Sequence, residues 1–280
     1  MKVDLGDLGR HRLANMDPDE AAALAGRALA LVDLTDLSDT CRLVDIDALC
    51  DRAVGPYGST AAVCIWPRFV AHAVERLRDR EVRVATVVNF PAGGTDVGAT
   101  VAETVLAVAN GADEIDVVLP YVSFLAGYAP VAVSMVQAVR VATPPPMKLK
   151  VILESGEYPD LDHVATAARI AIDNDADFVK TSTGKSSVSA TMAAAVTILE
   201  QIRRSGRPVG IKPSGGIRTV DDAGRYLAIA DEMMGPSWAT PATFRFGASG
   251  LLDALEATIA ASIAGGGDVT RSAPFQVTDY

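Results

Sequence analysis

The segments DFVKTST (177–183) and PVGIKPSG (208–215) each lead from apolar residues through a lysine into a polar turn. Neither alternates cleanly between apolar and polar residues, which is typical of a parallel strand covered on both faces. Similar apolar runs recur at intervals of roughly 20 to 35 residues. They are LVDLTDL (31–37), AAVCIW (61–66), RVATVVNF (83–90), EIDVVLP (114–120), KLKVILES (148–155) and TFRFGAS (243–249). The eight runs predict a sheet of parallel strands.

The stretches between these runs have the character of helices. Residues 97–110 are followed by Gly111, and residues 191–205 are followed by Gly206. A glycine directly after the last helical residue is a common C-terminal signal. Eight strand–helix units favour an α/β fold of the (β/α)8 TIM-barrel type. An open doubly wound sheet is the alternative, because closure of a barrel is not visible in a sequence.

We expect three segments along the chain. Residues 1–28 form an N-terminal helical arm, with Asp17 and Pro18 at the start of an alanine-rich helix. Residues 29–264 form the barrel and carry the catalytic site. Residues 265–280, GGGDVTRSAPFQVTDY, are polar and begin with glycines, so we expect a flexible C-terminal tail.

Composition excludes several classes of function. The net charge of −10 argues against wholesale binding to nucleic acid or anionic membrane. Cys41, Cys50 and Cys64 have no metal-ligand spacing, and no secretory signal or spanning segment is visible. No GxGxxG follows the first strand, so a nicotinamide cofactor is not indicated. We therefore expect a cytoplasmic protein without metal or cofactor.

Two lysines lie within apolar strands, although the chain has only six lysines. Lys180 follows Phe178-Val179, and Lys212 follows Gly210-Ile211. Consecutive parallel strands lie about 4.8 Å apart, so the two ammonium groups can share one buried site. Like charge and desolvation both lower a lysine pKa, and a neutral lysine amine is a Schiff-base nucleophile. The alternative is that each lysine reaches a strand end and pairs with a carboxylate.

Two acids are candidates for the same site. Asp116 alternates with Ile115 and Val117, so it points to the other face of its strand, into the barrel. It can relay protons, pair with Lys150, or do both. Asp33 in the first strand is a similar inward acid, and a structural role for it is as plausible as a catalytic one.

Glycine-rich turns follow the last three strands. Barrels frequently bind phosphate with the loops after strands seven and eight and with a helix N-terminus. Glycines let backbone N–H groups approach an anion. Each pair of glycines alone is weak evidence, but their joint position favours a phosphate site. The candidates are Thr183, Gly184 and Lys185 after strand six, Gly215 and Gly216 after strand seven, and Ser249 and Gly250 after strand eight.

These segments, in order and spacing, closely resemble the 2-deoxyribose-5-phosphate aldolases over about residues 29–260. ADFVKTSTGK (176–185), GIKPSGGIRT (210–219) and GADEIDVVLPY (111–121) carry the resemblance most specifically. The resemblance implies that Lys180 forms the Schiff base, that Lys212 tunes it, that Asp116 relays protons and that Asp33 supports it. It implies that the glycine-rich turns hold phosphate and that Tyr280 assists proton transfer.

The resemblance also implies reversible cleavage of 2-deoxy-D-ribose 5-phosphate to acetaldehyde and D-glyceraldehyde 3-phosphate. Partners are then small sugar phosphates and aldehydes, and a homodimer is one assembly that the sequence allows. The chain departs from the family at Gly250, where a second serine is frequent, so this position offers only its backbone N–H. The alternatives are a transaldolase-like enzyme that acts on longer sugars and a barrel that only binds sugar phosphate.

Overall fold

Strands and helices alternate along the chain, and eight short strands form one sheet. The computed structural model describes residues 16–265. The strands are β1 (Val32–Asp36), β2 (Ala62–Ile65), β3 (Arg83–Val88), β4 (Glu114–Val118), β5 (Lys148–Ile152), β6 (Phe178–Lys180), β7 (Gly210–Lys212) and β8 (Phe246–Ala248). Val54–Gly55 and Gly58–Ser59 form a small separate antiparallel pair.

The sheet closes into a barrel. The strands lie in the order β8-β1-β2-β3-β4-β5-β6-β7, and every neighbouring pair is parallel. Bridges between Ile211 and Phe244 and between Ser214 and Gly247 join the two end strands. The Arg245 N–H also donates to the Ile211 carbonyl at 3.0 Å. The predicted TIM barrel is confirmed, and the open sheet is excluded.

Helices surround the barrel. They are α1 (Pro18–Leu29), α2 (Leu43–Ala53), α3 (Val70–Arg76), α4 (Val97–Ala109), α5 (Tyr121–Leu125), α6 (Ala129–Ala142), α7 (Leu161–Asp173), α8 (Met192–Ser205), α9 (Val220–Met234) and α10 (Leu251–Ala264). Single 3-10 turns occupy Pro67–Phe69 and Ser155–Glu157. Among the described residues, no helix is both long enough and apolar enough to cross a membrane.

Local sequence signals explain the helix ends. Thr191 caps α8 by accepting a hydrogen bond from the Ala194 N–H at 3.1 Å, and Gly206 ends that helix with a φ of 65°. Glycine adopts this left-handed conformation without the steric cost that a Cβ brings. The predicted α8 therefore begins and ends where its cap residues lie.

The N-terminal helix α1 packs against the barrel's last two helices. Asp17 caps α1 through the backbone N–H groups of the next turn. Arg27 pairs with Asp231 of α9 at 2.6 Å, and the Ser262 hydroxyl of α10 donates to Asp19 at 2.8 Å. The predicted tail lies outside the described residues except for Gly265.

Two apolar layers position the site. Side chains such as Ile115 and Val117 point outward and pack under the helices, where they form most of the core. The alternate positions point into the barrel. One part of the interior is apolar, with Leu37, Cys64 and Val87 packed together. The other part is charged, with side chains from β1 and from β4 to just before β8, and it contains the candidate site.

Candidate active site

Charged side chains fill one half of the barrel interior. Each is at most 5% exposed. They are Asp33 on β1, Glu114 and Asp116 on β4, Lys150 on β5, Lys180 on β6, Lys212 on β7, and Arg245 just before β8. Buried charges of this kind are stable only when paired, because desolvation of an isolated ion costs several kcal/mol.

Lys180, Lys212 and Asp116 form the centre of this cluster. Lys180 and Lys212 are register partners on neighbouring strands, as the sequence predicted. The Nζ atoms of Lys180 and Lys212 lie 2.9 Å and 2.8 Å from the same Asp116 oxygen, Oδ2. Lys150 binds the other oxygen, Oδ1, at 2.9 Å. Asp116 therefore contacts both lysines of the pair and also Lys150, while its role in relaying protons stays a prediction.

Asp33 holds Lys212 from the opposite side. Its Oδ2 lies 2.5 Å from Lys212 Nζ, and its Oδ1 accepts from Arg245 at 2.6 Å. Burial raises the pKa of Asp33, but the charges of Lys212, Arg245 and Lys150 outweigh burial and lower that pKa overall. Asp33 therefore remains a carboxylate, and its described contacts are those of a residue that positions Lys212.

Asp116 and two of the lysines are held in their charged forms. Burial raises the pKa of Asp116, but Lys150, Lys180 and Lys212 hold it well below its ordinary value. Burial lowers the pKa of Lys212, but Asp116 and Asp33 raise it well above its ordinary value. The pKa of Lys150 is raised in the same way, with Asp116 as the main opposing charge to burial.

The charges of the cluster do not balance. Four cationic side chains face three carboxylates, so full ionisation leaves one positive charge in excess. Lys150 has Glu114 and Asp116 as partners within hydrogen-bonding distance, and Lys212 has Asp33 and Asp116. Within the part of the chain that the structure describes, Lys180 has one such partner, an oxygen that it shares with Lys212. Among the described residues, Lys180 is therefore the cation of the cluster with the fewest close carboxylate partners.

A cavity of about 590 Å³ opens at the carboxyl ends of the strands, and Lys180 lies at its base. This is the end at which TIM barrels carry their active sites. All seven predicted substrate-binding residues line the cavity with Lys180: Thr183, Gly184, Lys185, Gly215, Gly216, Ser249 and Gly250.

At two positions near this end of the barrel, neighbouring atoms lie too close to the backbone for any residue except glycine. Gly215 has a φ of +85°, and a Cβ there would lie 2.5 Å from the side chain of Ser189. A Cβ at Gly247 would lie 2.0 Å from the Ser214 hydroxyl. Any side chain at these two positions would therefore displace Ser189 or Ser214 from the cavity wall.

Some residues of the site were not singled out by the sequence. Arg218 lines the cavity and comes directly after the GGI turn. Its position in the sequence was therefore enough to indicate it as a cavity residue. Glu114 and Arg245 join the buried cluster, where Arg245 donates to Glu114 at 2.8 Å. Each is a charged residue within an apolar strand segment, which is the signal that revealed Lys180. Tyr280 lies outside the described residues.

Comparisons with known proteins agree with this geometry. The DeoC/LacD family of aldolases matches residues 14–256. A deoxyribose-phosphate aldolase of Agrobacterium fabrum strain C58 is 53% identical over 237 residues, which cover 84% of this chain and 90% of that protein.

Solved structures share the fold. A provisionally named deoxyribose-phosphate aldolase from Toxoplasma gondii ME49 has a TM-score of 0.82 at 24% identity, covering 89% of this chain and 99% of that one. A tetrameric deoxyribose phosphate aldolase from Aeropyrum pernix has a TM-score of 0.70 at 24% identity, covering 91% and 96%. At this identity the likeness shows the barrel fold alone.

The barrel with its interior lysines and the sequence matches define a carbon–carbon lyase of the aldolase class. The chain belongs to the DeoC/LacD family of aldolases. The resemblance seen in the sequence is thereby confirmed, and a barrel that only binds sugar phosphate is excluded.

Proposed function

We propose that the chain reversibly cleaves 2-deoxy-D-ribose 5-phosphate to acetaldehyde and D-glyceraldehyde 3-phosphate through a Schiff base on Lys180. One observation carries the proposal: Lys180 lines the cavity and shares with Lys212 the one carboxylate oxygen that lies close to it among residues 16–265. The name of the 53% identical Agrobacterium relative supports the substrate.

The reaction follows from a neutral amine at Lys180. The amine attacks C1 of the open-chain sugar, and loss of water gives an iminium. The C3 hydroxyl then loses its proton, and the C2–C3 bond breaks. Glyceraldehyde 3-phosphate leaves, and the bonding electrons pass to the iminium as an enamine. A proton added at C2 restores the iminium, and water releases acetaldehyde and the free lysine.

Lys212 and Asp116 have different supporting roles in this reaction. The positive charge of Lys212, fixed between Asp33 and Asp116, disfavours a second ammonium at Lys180. Asp116 is held as a carboxylate, so it acts as a proton acceptor and returns the proton through a water molecule. Asp33 supports the arrangement by fixing Lys212 rather than by touching substrate.

The phosphate is bound at the glycine-rich turns. Gly184 and Gly216 offer backbone N–H groups at the cavity wall, Gly215 shapes the turn, and Lys185 adds a positive charge. Ser249 can donate a hydroxyl hydrogen bond, while Gly250 contributes only backbone.

The steps need only the groups of this chain, and we expect activity to persist in EDTA. A cytoplasmic location and a role in deoxyribonucleotide and carbohydrate catabolism accord with this reaction. The rival reaction is that of a transaldolase-like enzyme with longer sugars. The test is acetaldehyde release from deoxyribose 5-phosphate, compared with release of three-carbon products from six- and seven-carbon ketose phosphates. Cleavage of the ketose phosphates alone would reject the proposal.

A further inference from the structure

Glu154 is a buried acid that the reaction above does not use. It comes two residues after β5 and has a left-handed backbone, with φ at 57° and ψ at 53°. A non-glycine residue is held in this conformation only when its surroundings fix it, and such residues cluster at functional sites. Glu154 is 2% exposed and lies behind the residues that line the cavity.

The Glu154 carboxylate binds one loop through three donors. The Thr183 N–H lies 3.2 Å from Oε1, and the Thr183 hydroxyl donates to Oε2 at 2.5 Å. The Ser186 hydroxyl lies 3.0 Å from Oε1 and 2.9 Å from the Val188 carbonyl oxygen, so its one hydrogen is shared between these two acceptors. Among the described residues, no cation lies within 4.0 Å of this carboxylate. Its charge is therefore stabilised by the loop itself.

A chain of hydrogen bonds connects Glu154 to Lys185, one of the candidate anion-binding residues. The Thr183 hydroxyl donates to Glu154 and accepts a hydrogen bond from the Lys185 N–H at 3.0 Å. The Lys185 ammonium in turn donates to the Leu37 carbonyl at 2.8 Å, across the cavity mouth. A carboxylate at 154 thus fixes the direction of the Thr183 hydroxyl, and that hydroxyl fixes the turn at Gly184 and Lys185.

Close backbone packing leaves this loop little room to move on its outer side. A Cβ at Gly156 would lie 2.0 Å from the Val188 carbonyl oxygen. A Cβ at Gly215 would lie 3.2 Å from the Gly184 Cα atom. The loops after β5, β6 and β7 are therefore stacked against one another, and Glu154 is the acid that joins the first to the second.

We propose that Glu154 is a positioning residue that holds the loop 183–186 in the conformation that binds the substrate phosphate. The proposal rests on the proposed function, because it assigns the anion of that substrate to this loop. Glutamine at this position has one acceptor oxygen and an NH2 donor. With its NH2 group toward Ser186, its oxygen still accepts from Thr183, but every hydrogen bond loses the carboxylate charge that strengthens it.

The test compares Glu154→Gln with Glu157→Gln. Glu157 is an exposed acid of the same 3-10 turn, so its variant removes equal charge without touching the loop. We expect Glu154→Gln to weaken binding of inorganic phosphate, followed by 31P NMR titration, by about tenfold. KM for deoxyribose 5-phosphate should rise by about the same factor, while kcat changes by less than about threefold. Glu157→Gln should match the wild type.

Separate readouts distinguish the possible failures. Unchanged phosphate affinity in folded Glu154→Gln, or a fall in kcat with unchanged KM, would overturn the role of Glu154. A wild type that binds phosphate but does not cleave deoxyribose 5-phosphate would reject the proposed substrate, and the phosphate titration would still decide Glu154. If Glu154→Gln does not fold, Ser186→Ala removes one of the three donors. It should weaken phosphate binding about threefold, and wild-type affinity in that variant would overturn the proposal.

Discussion

Lys180 and Lys212 bind the same oxygen of one carboxylate, Asp116 Oδ2, at 2.9 Å and 2.8 Å. Two ammonium groups on one oxygen repel each other, and burial weakens the screening that water provides. Asp33 holds Lys212 in its charged form. Among the described residues, Lys180 has no second carboxylate of this kind, and the proposed role of Lys180 rests on this asymmetry.

Replacement of Lys212 tests this relationship. Lys212→Leu removes the neighbouring cation and leaves Asp116 Oδ2 to Lys180 alone, and both effects favour the ammonium form of Lys180. The acidic limb of the pH–rate profile for kcat/KM should therefore move to higher pH. The rate near neutrality should fall by about 100-fold or more.

Lys148→Leu is the matched control. Lys148 is exposed at the opposite end of β5 and pairs with Asp177, so its loss removes a lysine without changing the interior. Its pH–rate profile should match that of the wild type. An acidic limb that stays in place in folded Lys212→Leu would mean that Lys212 does not tune Lys180.

Stability at low pH tests the buried carboxylates. The pKa values of Asp33 and Asp116 are lowered by the fold, so the unfolded chain binds more protons as pH falls below about 4. Their stabilising contribution is complete above that pH. It is lost as the pH falls toward the pKa values that the two carboxylates have in the folded state. Each carboxylate contributes at most about 1.4 kcal/mol per pH unit to the slope of the unfolding free energy against pH.

The measurement is the free energy of unfolding by urea between about pH 6 and pH 3. Asp33→Asn should be less stable than the wild type at pH 6, because its loss leaves Lys212 and Arg245 short of a partner. Its stability should then fall less steeply below about pH 4. Equal slopes for the two proteins would show that Asp33 is not held ionised by its neighbours.

The arrangement of this site was partly predictable from sequence. Lys180 and Lys212 were expected to be neighbours because they occupy consecutive parallel strands, and Asp116 was expected inside because it alternates with apolar residues. The contact of Arg245 with Glu114 was not predictable, since it depends on the stagger with which β8 closes against β1. Closure is set by the whole barrel and leaves no local pattern.

The role of Glu154 is a second feature that could not be predicted from the sequence. Its segment, ILES, reads as the end of an apolar strand followed by a turn. The carboxylate points to the next loop because the backbone at Glu154 is left-handed, a conformation that glycine and asparagine adopt more readily than glutamate. A conformation fixed by tertiary contacts against local preference cannot be predicted from those preferences.

Tyr280 is predicted to assist proton transfer at the enamine carbon. The basis is the resemblance of the sequence, since Tyr280 lies outside the described residues, and a phenol can donate or accept a proton. Tyr280→Phe should slow turnover and the exchange of acetaldehyde methyl protons with solvent, followed by NMR in deuterium oxide. Borohydride trapping at Lys180 should persist. Exchange at the wild-type rate in Tyr280→Phe would remove this residue from the chemistry.

The most direct test of the account is the location of the covalent intermediate. The chain is incubated with acetaldehyde and sodium borohydride, and the reduced two-carbon adduct is located by peptide mass spectrometry. The account predicts the adduct on Lys180, with loss of activity in proportion to its formation and with none formed in Lys180→Arg. An adduct on Lys212 or Lys185 with Lys180 unmodified would contradict the account.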